Sequence, residues 1–154
     1  MNTNDISTTA KQAIDSLTVT FFEAVSFQVG GKPAYQNLYG LFIDCGLLIK
    51  NSSTSPEITT VSQFIEPRQR SVDSGELTAF RESETAEITE IFGNVAHRFS
   101  TYEKHGVSHG AEFAGRGIIS IQFVKTETTW KMSCMAWDDE RPGLAIPERY
   151  LSNP

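Results

Sequence analysis

The chain has 154 residues, of which 39% are hydrophobic and 21% are charged, and it contains ten Phe, four Tyr and two Trp. A chain of this length can bury a core without disulfide or metal support, and its aromatic content excludes a disordered protein. The formal net charge of −6 at pH 7 argues against a nucleic-acid or anionic-membrane surface, because both require basic patches. We therefore expect no nucleic-acid partner and no membrane partner.

Signals for export, membrane insertion and cofactor binding are not apparent in the sequence. The first residues lack the basic and apolar regions of a signal peptide, and the longest apolar run, residues 38–49, contains Asp44 and is too short to span a bilayer. Cys45 and Cys134 lie in apolar runs without a C-x-x-C pair, which favours buried, reduced thiols. No phosphate-binding glycine loop or metal-ligand motif is present. These features predict a cytoplasmic protein that uses no cofactor and no metal.

The N-terminal third of the sequence is predicted to be helical. Apolar residues recur at three- and four-residue steps between Ile6 and Val25, which is the spacing of an amphipathic helix. The glycine pair at 30–31 ends this helix, because glycine disfavours helical continuation. Pro33 favours the first turn of a second, short helix, so helices are expected over about residues 5–42.

The remainder of the chain changes from helical to strand character. Residues 46–50 predict a short buried strand, and residues 60–70 predict a third helix. An antiparallel meander is expected over about residues 82–137, with a hairpin turn at 92–94, and an extended tail over residues 138–154. Helices followed by a meander favour an α+β fold, with the helices on one face of a curved sheet and the whole chain, 1–154, as one domain.

Alternation along the predicted strands divides their side chains between two faces. The almost wholly apolar set is assigned to the inner face, beneath the helices. It comprises Val95, His97, Phe99, Ile119, Ile121, Phe123, Trp130, Met132, Cys134 and Ala136.

The other set of strand side chains mixes aromatic residues, Met and Arg with few acids, a composition typical of protein interfaces. We assign it to the outer face and expect a homodimer through that face. The expected interface residues are Arg98, Tyr102, Arg116, Ile118, Gln122, Met135 and Trp137. The alternative is a monomer whose outer face is covered by the C-terminal tail.

The second half of the sequence contains four recognisable segments. They are FGNVAHRFSTYE at residues 92–103, RGIISIQ at 116–122, WKM at 130–132 and WDDE at 137–140. Together they resemble the SnoaL-like branch of the nuclear-transport-factor-like superfamily, and the resemblance covers most of the chain. It implies a cone-shaped, cystatin-like fold, in which a bent antiparallel sheet wraps a long helix and leaves a pocket, and it implies a homodimer through the outer sheet face. The superfamily includes isomerases, dehydratases, polyketide cyclases and non-catalytic members, so the fold does not choose among them.

Two titratable residues are the candidate catalytic groups. His97 is the titratable group assigned to the inner face, where it would act as a base or acid near neutral pH, or else be a core histidine bonded to a backbone carbonyl or to Thr101. Asp44 lies in an apolar stretch that would raise its pKa, or else it is a turn carboxylate facing water. Related sequences commonly carry Asn where this chain has Ile119, which implies the loss of one polar group from the pocket. The expected pocket residues are Tyr39, Phe64, His97, Phe99, Ile119, Ile121, Trp130 and Met132.

Two functions fit these expectations. The first is a cofactor-independent isomerase, dehydratase or cyclase that binds a small, largely apolar molecule in the pocket. The second is a non-catalytic ligand-binding or accessory homodimer that uses the same pocket without proton chemistry. They differ in whether an ionisable side chain points into a water-accessible cavity.

Overall fold

The computed structural model describes residues 3–154, which form two α-helices, two 3-10 helices and one curved, unclosed sheet of six strands. The α-helices are α1 (Thr3–Val25) and α2 (Val61–Asp73). The strands are β1 (Phe42–Lys50), β2 (Glu57–Thr60), β3 (Leu77–Phe92), β4 (Val95–Ser108), β5 (Ala111–Lys125) and β6 (Trp130–Asp139). The sheet order is β2-β1-β6-β5-β4-β3, and every neighbouring pair is antiparallel except β1 and β6. The predicted α+β class is confirmed.

Helix α1 packs on the inner face of the sheet, chiefly against β3. Its buried side chains follow the predicted helical spacing, and each contributes about 1.5–3 kcal/mol when it is a large apolar group. They include Ala10, Ile14, Phe21, Ala24 and Val25. The chain then joins the edge of β3 through two backbone hydrogen bonds between Phe27 and Phe80, of 2.7 and 3.1 Å. These bonds fix the chain that follows α1 against the edge of the long β3–β4 strand pair.

The segment between α1 and β1 differs from the prediction of a second α-helix. It forms a 3-10 helix over Tyr35–Gly40, in which Tyr35 and Leu38 are buried. Strand β1 begins at Phe42, four residues earlier than predicted, and Cys45 within it is exposed rather than buried. The short range of this apolar pattern fits a strand as well as a helix, which accounts for the shifted boundary.

Helix α2 begins directly at the end of β2, a strand that the sequence did not reveal. Thr60 and Gln63 form a capping box: the Gln63 backbone N–H donates to the Thr60 hydroxyl oxygen at 3.2 Å, and the Thr60 N–H donates to the Gln63 side chain at 3.0 Å. The helix continues through Pro67 to Asp73, three residues beyond the predicted end. It places Phe64 and Arg68, one turn apart, on the same side.

Strand β4 presents the opposite faces from those predicted. Its pairing with β5 places Arg98 opposite Ile121 and Ser100 opposite Ile119, and paired residues share a face. Because Ile119 and Ile121 are buried on the inner face, Arg98 and Ser100 are buried there too. The prediction that His97 lies on the inner face is therefore wrong.

The reason for this reversal is a charged cluster beneath α1. The Arg98 guanidinium donates to Glu84 of β3 and to Asp15 of α1, and the Ser100 hydroxyl also donates to Glu84. Lys11 of α1 completes the cluster through Asp15. Buried charges are tolerated when they are paired in this way, so the more polar side of β4 is the inner side.

A β-bulge in β6 changes the faces of that strand half-way along its length. Phe123 pairs with Met132, whereas Gln122 pairs with Cys134, which leaves Ser133 as an additional residue. Met132 before the bulge lies on the inner face as predicted. After the bulge Met135 and Trp137 also lie on the inner face, opposite Ile121 and Ile119, so their assignment to the outer face and to the dimer interface is wrong.

Candidate functional site

A cavity of about 280 Å³ lies between the helices and the inner face of the sheet. We call it the cone cavity. Its apolar wall consists of Phe21, Val25, Phe64, Leu77, Phe80, Phe113, Ile119 and Trp137. Its polar and charged lining consists of Tyr35, Lys50, Arg68, Glu82, Tyr102 and Lys104. An apolar wall with a few converging polar groups is the usual composition of a small-molecule site, and this volume is at the small end of the range.

Glu82 is the acidic residue among the cavity-lining side chains. It lies on β3, where its backbone N–H donates to the Ser26 hydroxyl at 3.0 Å, which ties the strand to the end of α1. The side chain is half-buried, and its carboxylate receives no hydrogen bond from residues 3–154. Burial raises the pKa of Glu82 to about 7; nearby Lys104 opposes the shift and Asp139 adds to it.

Tyr102, Lys104 and Asp139 form a hydrogen-bonded group beside Glu82. The Lys104 ammonium lies 2.9 Å from both carboxylate oxygens of Asp139, and the Tyr102 hydroxyl donates to the same carboxylate. Burial opposes ionisation of Asp139, but the hydrogen bonds from Tyr102 and Lys104 outweigh it and lower its pKa. Burial and the bond to Asp139 raise the pKa of Tyr102, so its phenol stays protonated. This group is internally satisfied, which leaves Glu82 as the free carboxylate.

Gly117 of β5 makes room for the Tyr102 ring. The two residues are paired across β4 and β5, and a Cβ atom at position 117 would overlap the Tyr102 hydroxyl and the Asp138 carbonyl oxygen. Glycine is required here for close approach. The glycine that follows Arg116 in the sequence thus makes the position of a cavity-lining tyrosine possible.

Arg68 enters the cavity from α2. Its Nη1 donates to the Phe64 carbonyl oxygen at 2.9 Å, and its guanidinium carbon lies 3.6 Å from the centroid of the Phe64 ring. Burial lowers the pKa of Arg68, against the attraction of Glu57, Tyr35 and Glu82. An arginine remains charged under these conditions, so the cavity contains a fixed, half-buried cation.

The two predicted catalytic residues do not meet in this cavity. His97 lies on the outer face, where its side chain is 60% exposed and its Nε2 is 3.1 Å from Oε1 of Glu90. Asp44 is exposed on β1 and does not line the cavity. The placement of both groups contradicts the expectation that they point into the pocket.

The predicted pocket residues divide into three groups. Phe64 and Ile119 line the cone cavity. Ile121, Trp130 and Met132 are buried in the core next to it but do not line it. The remaining three, Tyr39, His97 and Phe99, are exposed. Phe99 lies on the outer face with its ring 5.3 Å from that of Tyr150.

The predicted interface residues are likewise divided. Arg116, Ile118 and Gln122 are on the outer face, where Arg116 pairs with Glu140 at 2.8 Å. The others, Arg98, Tyr102, Met135 and Trp137, are on the inner face and are not available to a second subunit there.

Sequence reasoning missed the charged lining of the cavity. Glu82 and Arg68 were each in segments whose polar residues predict a solvated surface, and neither has a motif around it. One signal was present: Arg68 follows Phe64 by four residues on a predicted helix, so a cation shares the face of a core aromatic residue.

No protein-family model matches the sequence, and no curated protein matches it. Solved structures do match. A nuclear transport factor 2-like superfamily protein from Salmonella enterica superposes with a TM-score of 0.73 at 16% identity, over 94% of this chain and 99% of that one. A hexachlorocyclohexane dehydrochlorinase from Novosphingobium barchaimii gives a TM-score of 0.72 at 11% identity, over 88% and 89%. An uncharacterised cystatin-like protein from Caulobacter vibrioides gives 0.67 at 13% identity, over 87% and 92%.

The chain has the cystatin-like fold of the nuclear transport factor 2-like proteins. At these identities the likeness concerns the fold alone. No helix within residues 3–154 is long and apolar enough to cross a membrane. In this cystatin-like fold, the cone cavity is the space that α1, α2 and the curved sheet leave between them.

Proposed function

We propose that the chain binds a small, largely apolar molecule in the cone cavity and catalyses a cofactor-independent proton transfer on it, as an isomerase, dehydratase or cyclase does. The observation that carries this proposal is Glu82, a carboxylate without a hydrogen-bond donor among residues 3–154 in a mostly apolar cavity. Its pKa of about 7 means that both protonation states are populated near neutral pH. The structural neighbour that is a dehydrochlorinase supports catalysis on this fold.

In the proposed reaction the ionised Glu82 carboxylate removes a proton from a carbon of the bound molecule, and the C–H electron pair stays in that molecule. An isomerase returns the proton from Glu82 to a different carbon. In a dehydratase the electron pair forms a double bond as the C–O bond breaks, and the departing hydroxide takes the proton from Glu82 to leave as water. Arg68 lies on the same cavity and stabilises the negative charge that develops.

The alternative is a ligand-binding module that holds the same molecule without reaction. It requires the apolar wall of the cavity but gives no role to an unbonded carboxylate. Such a carboxylate loses hydration on folding without a bonded partner, which is a usual sign of a functional acid or base. We therefore favour the enzyme.

Deuterium exchange tests the enzyme proposal before the substrate is known. The protein is incubated in D₂O with small cyclic ketones, and exchange at the carbons next to the carbonyl is followed by NMR. The wild type is expected to accelerate exchange of at least one ketone, and Glu82→Gln is expected to remove the acceleration. Glu90→Gln, on the same strand but exposed on the outer face, is the matched control and should retain it. Equal exchange rates with the wild type and Glu82→Gln would favour the non-catalytic alternative.

We also propose that two copies associate through the outer sheet face. Support comes from apolar side chains that remain exposed there: Phe92 is 87% exposed, and Val95 and Ile58 are about half exposed on the same side. The C-terminal tail covers one region of this face, where the Thr101 hydroxyl donates to the Tyr150 carbonyl oxygen at 2.6 Å. The hairpin end of the sheet stays uncovered by the tail.

Light scattering measures this association. A mass of twice the protomer is expected for the wild type, and Phe92→Asp is expected to shift the protein towards the protomer mass. Val19→Asp, which introduces the same charge at an exposed position on α1, is the control. A protomer mass for the wild type at micromolar concentration would support the tail-covered monomer.

A further inference from the structure

Arg68 is a half-buried cation of the cone cavity, and no acid among residues 3–154 is bonded to it. Two arginines of the chain are substantially buried, and they differ in this respect. Arg98 binds the carboxylates of Glu84 and Asp15, with its Nη1 2.6 Å from Asp15. Arg68 forms no salt bridge within the described part of the chain, and one hydrogen bond, to the Phe64 carbonyl, accounts for its protein partners there.

The Arg68 side chain is held in place for binding. The Phe64 ring supports one face of its guanidinium, and the hydrogen bond to the Phe64 carbonyl fixes one of its two terminal nitrogens. A guanidinium stacked and bonded in this way loses little entropy when it binds a partner. Its unused N–H groups form a planar fork, which fits the two oxygens of a carboxylate.

The other cations of the cavity are less suited to this role. The Lys104 ammonium is neutralised by both oxygens of Asp139. Lys50 is exposed, so solvent screens its charge. The positive charge in the least polar surroundings is therefore that of Arg68.

The rest of the wall determines the body of the ligand. Seven aromatic residues line the cavity, and Phe64 and Trp137 meet edge to face with ring centroids 6.0 Å apart. A volume of about 280 Å³ accommodates a ligand with a single ring and a short substituent. It is too small for a long acyl chain or a nucleoside. One fixed guanidinium suits a single negative charge better than the double charge of a phosphate.

We infer that Arg68 is an anion-binding subsite of the cone cavity, and that the bound molecule is a monocarboxylate with a single apolar ring. This inference rests on the proposed function, because it assigns the substrate class of the same cavity. It also gives an orientation: the carboxylate lies at α2 and the ring extends across the aromatic wall. Glu82, which lines the same cavity from β3, then faces the carbon atoms of the ligand.

Calorimetric titration at pH 6 with phenylacetate and its neutral analogue phenylacetamide tests the inference. The wild type is expected to bind phenylacetate more tightly than phenylacetamide. Arg68→Gln should weaken phenylacetate binding about ten- to a hundredfold, the range for a charge-assisted hydrogen bond, and should leave phenylacetamide binding nearly unchanged. Arg70→Gln is the matched control, since Arg70 lies on the same helix and is exposed in a pair with Glu66.

Phenylacetamide binding also shows whether Arg68→Gln remains folded, and Arg68→Lys provides a second variant that keeps the charge but loses the fork. Equal affinity of the wild type for the acid and the amide, or unchanged phenylacetate binding by Arg68→Gln, would overturn the subsite and leave the proposed function standing. Binding of neither probe by the wild type would overturn both proposals.

Discussion

The Nη1 atom of Arg98 lies 2.6 Å from Oδ1 of Asp15, which joins β4 to α1 across 83 residues of sequence. The same guanidinium donates from Nε to Glu84 of β3 at 3.0 Å, so one side chain connects the helix to two adjacent strands. Arg98 is 3% exposed. This buried connection sets how α1 lies on the sheet, and it also explains why the more polar side of β4 is the inner side.

Arg98→Met is expected to destabilise the fold strongly. Removal of the guanidinium leaves the Glu84 carboxylate without its cation and leaves Asp15 with Lys11 alone. Loss of one partner of a buried ion pair costs about 3–5 kcal/mol. Urea denaturation followed by circular dichroism measures the change. Arg70→Met, which removes an exposed pair with Glu66, should change stability by less than about 1 kcal/mol. Similar losses for the two variants would mean that the Arg98 cluster contributes no more than a surface pair.

Glu82→Gln is expected to stabilise the protein above pH 7. The folded pKa of about 7 exceeds the ordinary value of 4.5, so the folded protein binds the additional proton and the wild type loses stability as the pH rises from about 4.5 to 7. The neutral amide does not suffer this loss. We expect a gain of about 1–3 kcal/mol at pH 8 and almost none at pH 4, since part of the side chain faces solvent in the cavity.

Urea denaturation of both proteins at the two pH values measures this difference. Glu90→Gln is the control, because Glu90 is an exposed carboxylate on the same strand. A gain for Glu82→Gln that is the same at pH 4 and pH 8 would contradict a perturbed carboxyl at position 82.

Gly117→Ala is expected to cost about 1–3 kcal/mol by overpacking. The added Cβ would lie 2.6 Å from Cζ of Tyr102 and would overlap the Asp138 carbonyl oxygen, which is backbone and cannot turn away. Gly40→Ala is the control, since a Cβ there meets no atom within 4 Å. Melting temperatures measure both effects, and a Gly117→Ala protein as stable as Gly40→Ala would show that Tyr102 does not occupy this position.

Phenylacetate affinity is expected to fall as the pH rises above 7. Ionised Glu82 repels a bound carboxylate, so the dissociation constant should increase by up to about tenfold per pH unit above the Glu82 pKa. The charged or titratable groups that face Glu82 from the other elements are Arg68, Lys104, Tyr102, Asp139, Tyr35 and Lys50. The pKa of Asp139 is lowered by its bonds to Tyr102 and Lys104, and burial raises that of each tyrosine, so none of these three titrates in this range.

Calorimetry between pH 6 and pH 9 measures the dependence. Glu82→Gln should remove it, and Glu90→Gln should preserve it. A pH-independent affinity for the wild type would contradict a ligand carboxylate in the same cavity as Glu82.

The fold class could be predicted from the sequence because the signals for its helices and strands are local and periodic. The helical spacing of α1, the hairpin signal at 92–94 and the alternation of β5 each depend on local chemistry alone. The faces of β4 could not be obtained in this way, since Val95, His97 and Phe99 form the more apolar set and yet face outward. Correct assignment requires the register with β5 and the acids that α1 and β3 supply, and both are long-range facts.

The residues of the candidate site were harder to predict from the sequence for the same reason. Glu82 and Arg68 are surrounded in sequence by other charged residues, and only the fold separates them from solvent. The pocket residues Phe64 and Ile119 were found because apolar residues on a regular helix or strand face point to the interior. Catalytic groups are polar, so burial patterns do not distinguish them from the surface.

The single additional residue in β6 has a consequence for how this cavity can vary among sequences. The bulge at Ser133 absorbs this residue. If Ser133 were part of a regular strand instead, the distal half of the strand would turn over: Cys134 and Ala136 would point inward, and Met135 and Trp137 would point to the outer face. Deletion of Ser133 would remove the bulge and keep the present faces, because the outward Cys134 would then follow the inward Met132 directly. A related chain can thus shorten β6 by this one residue and keep the indole wall of the cavity, whereas a chain that kept the residue and lost the bulge would lose that wall.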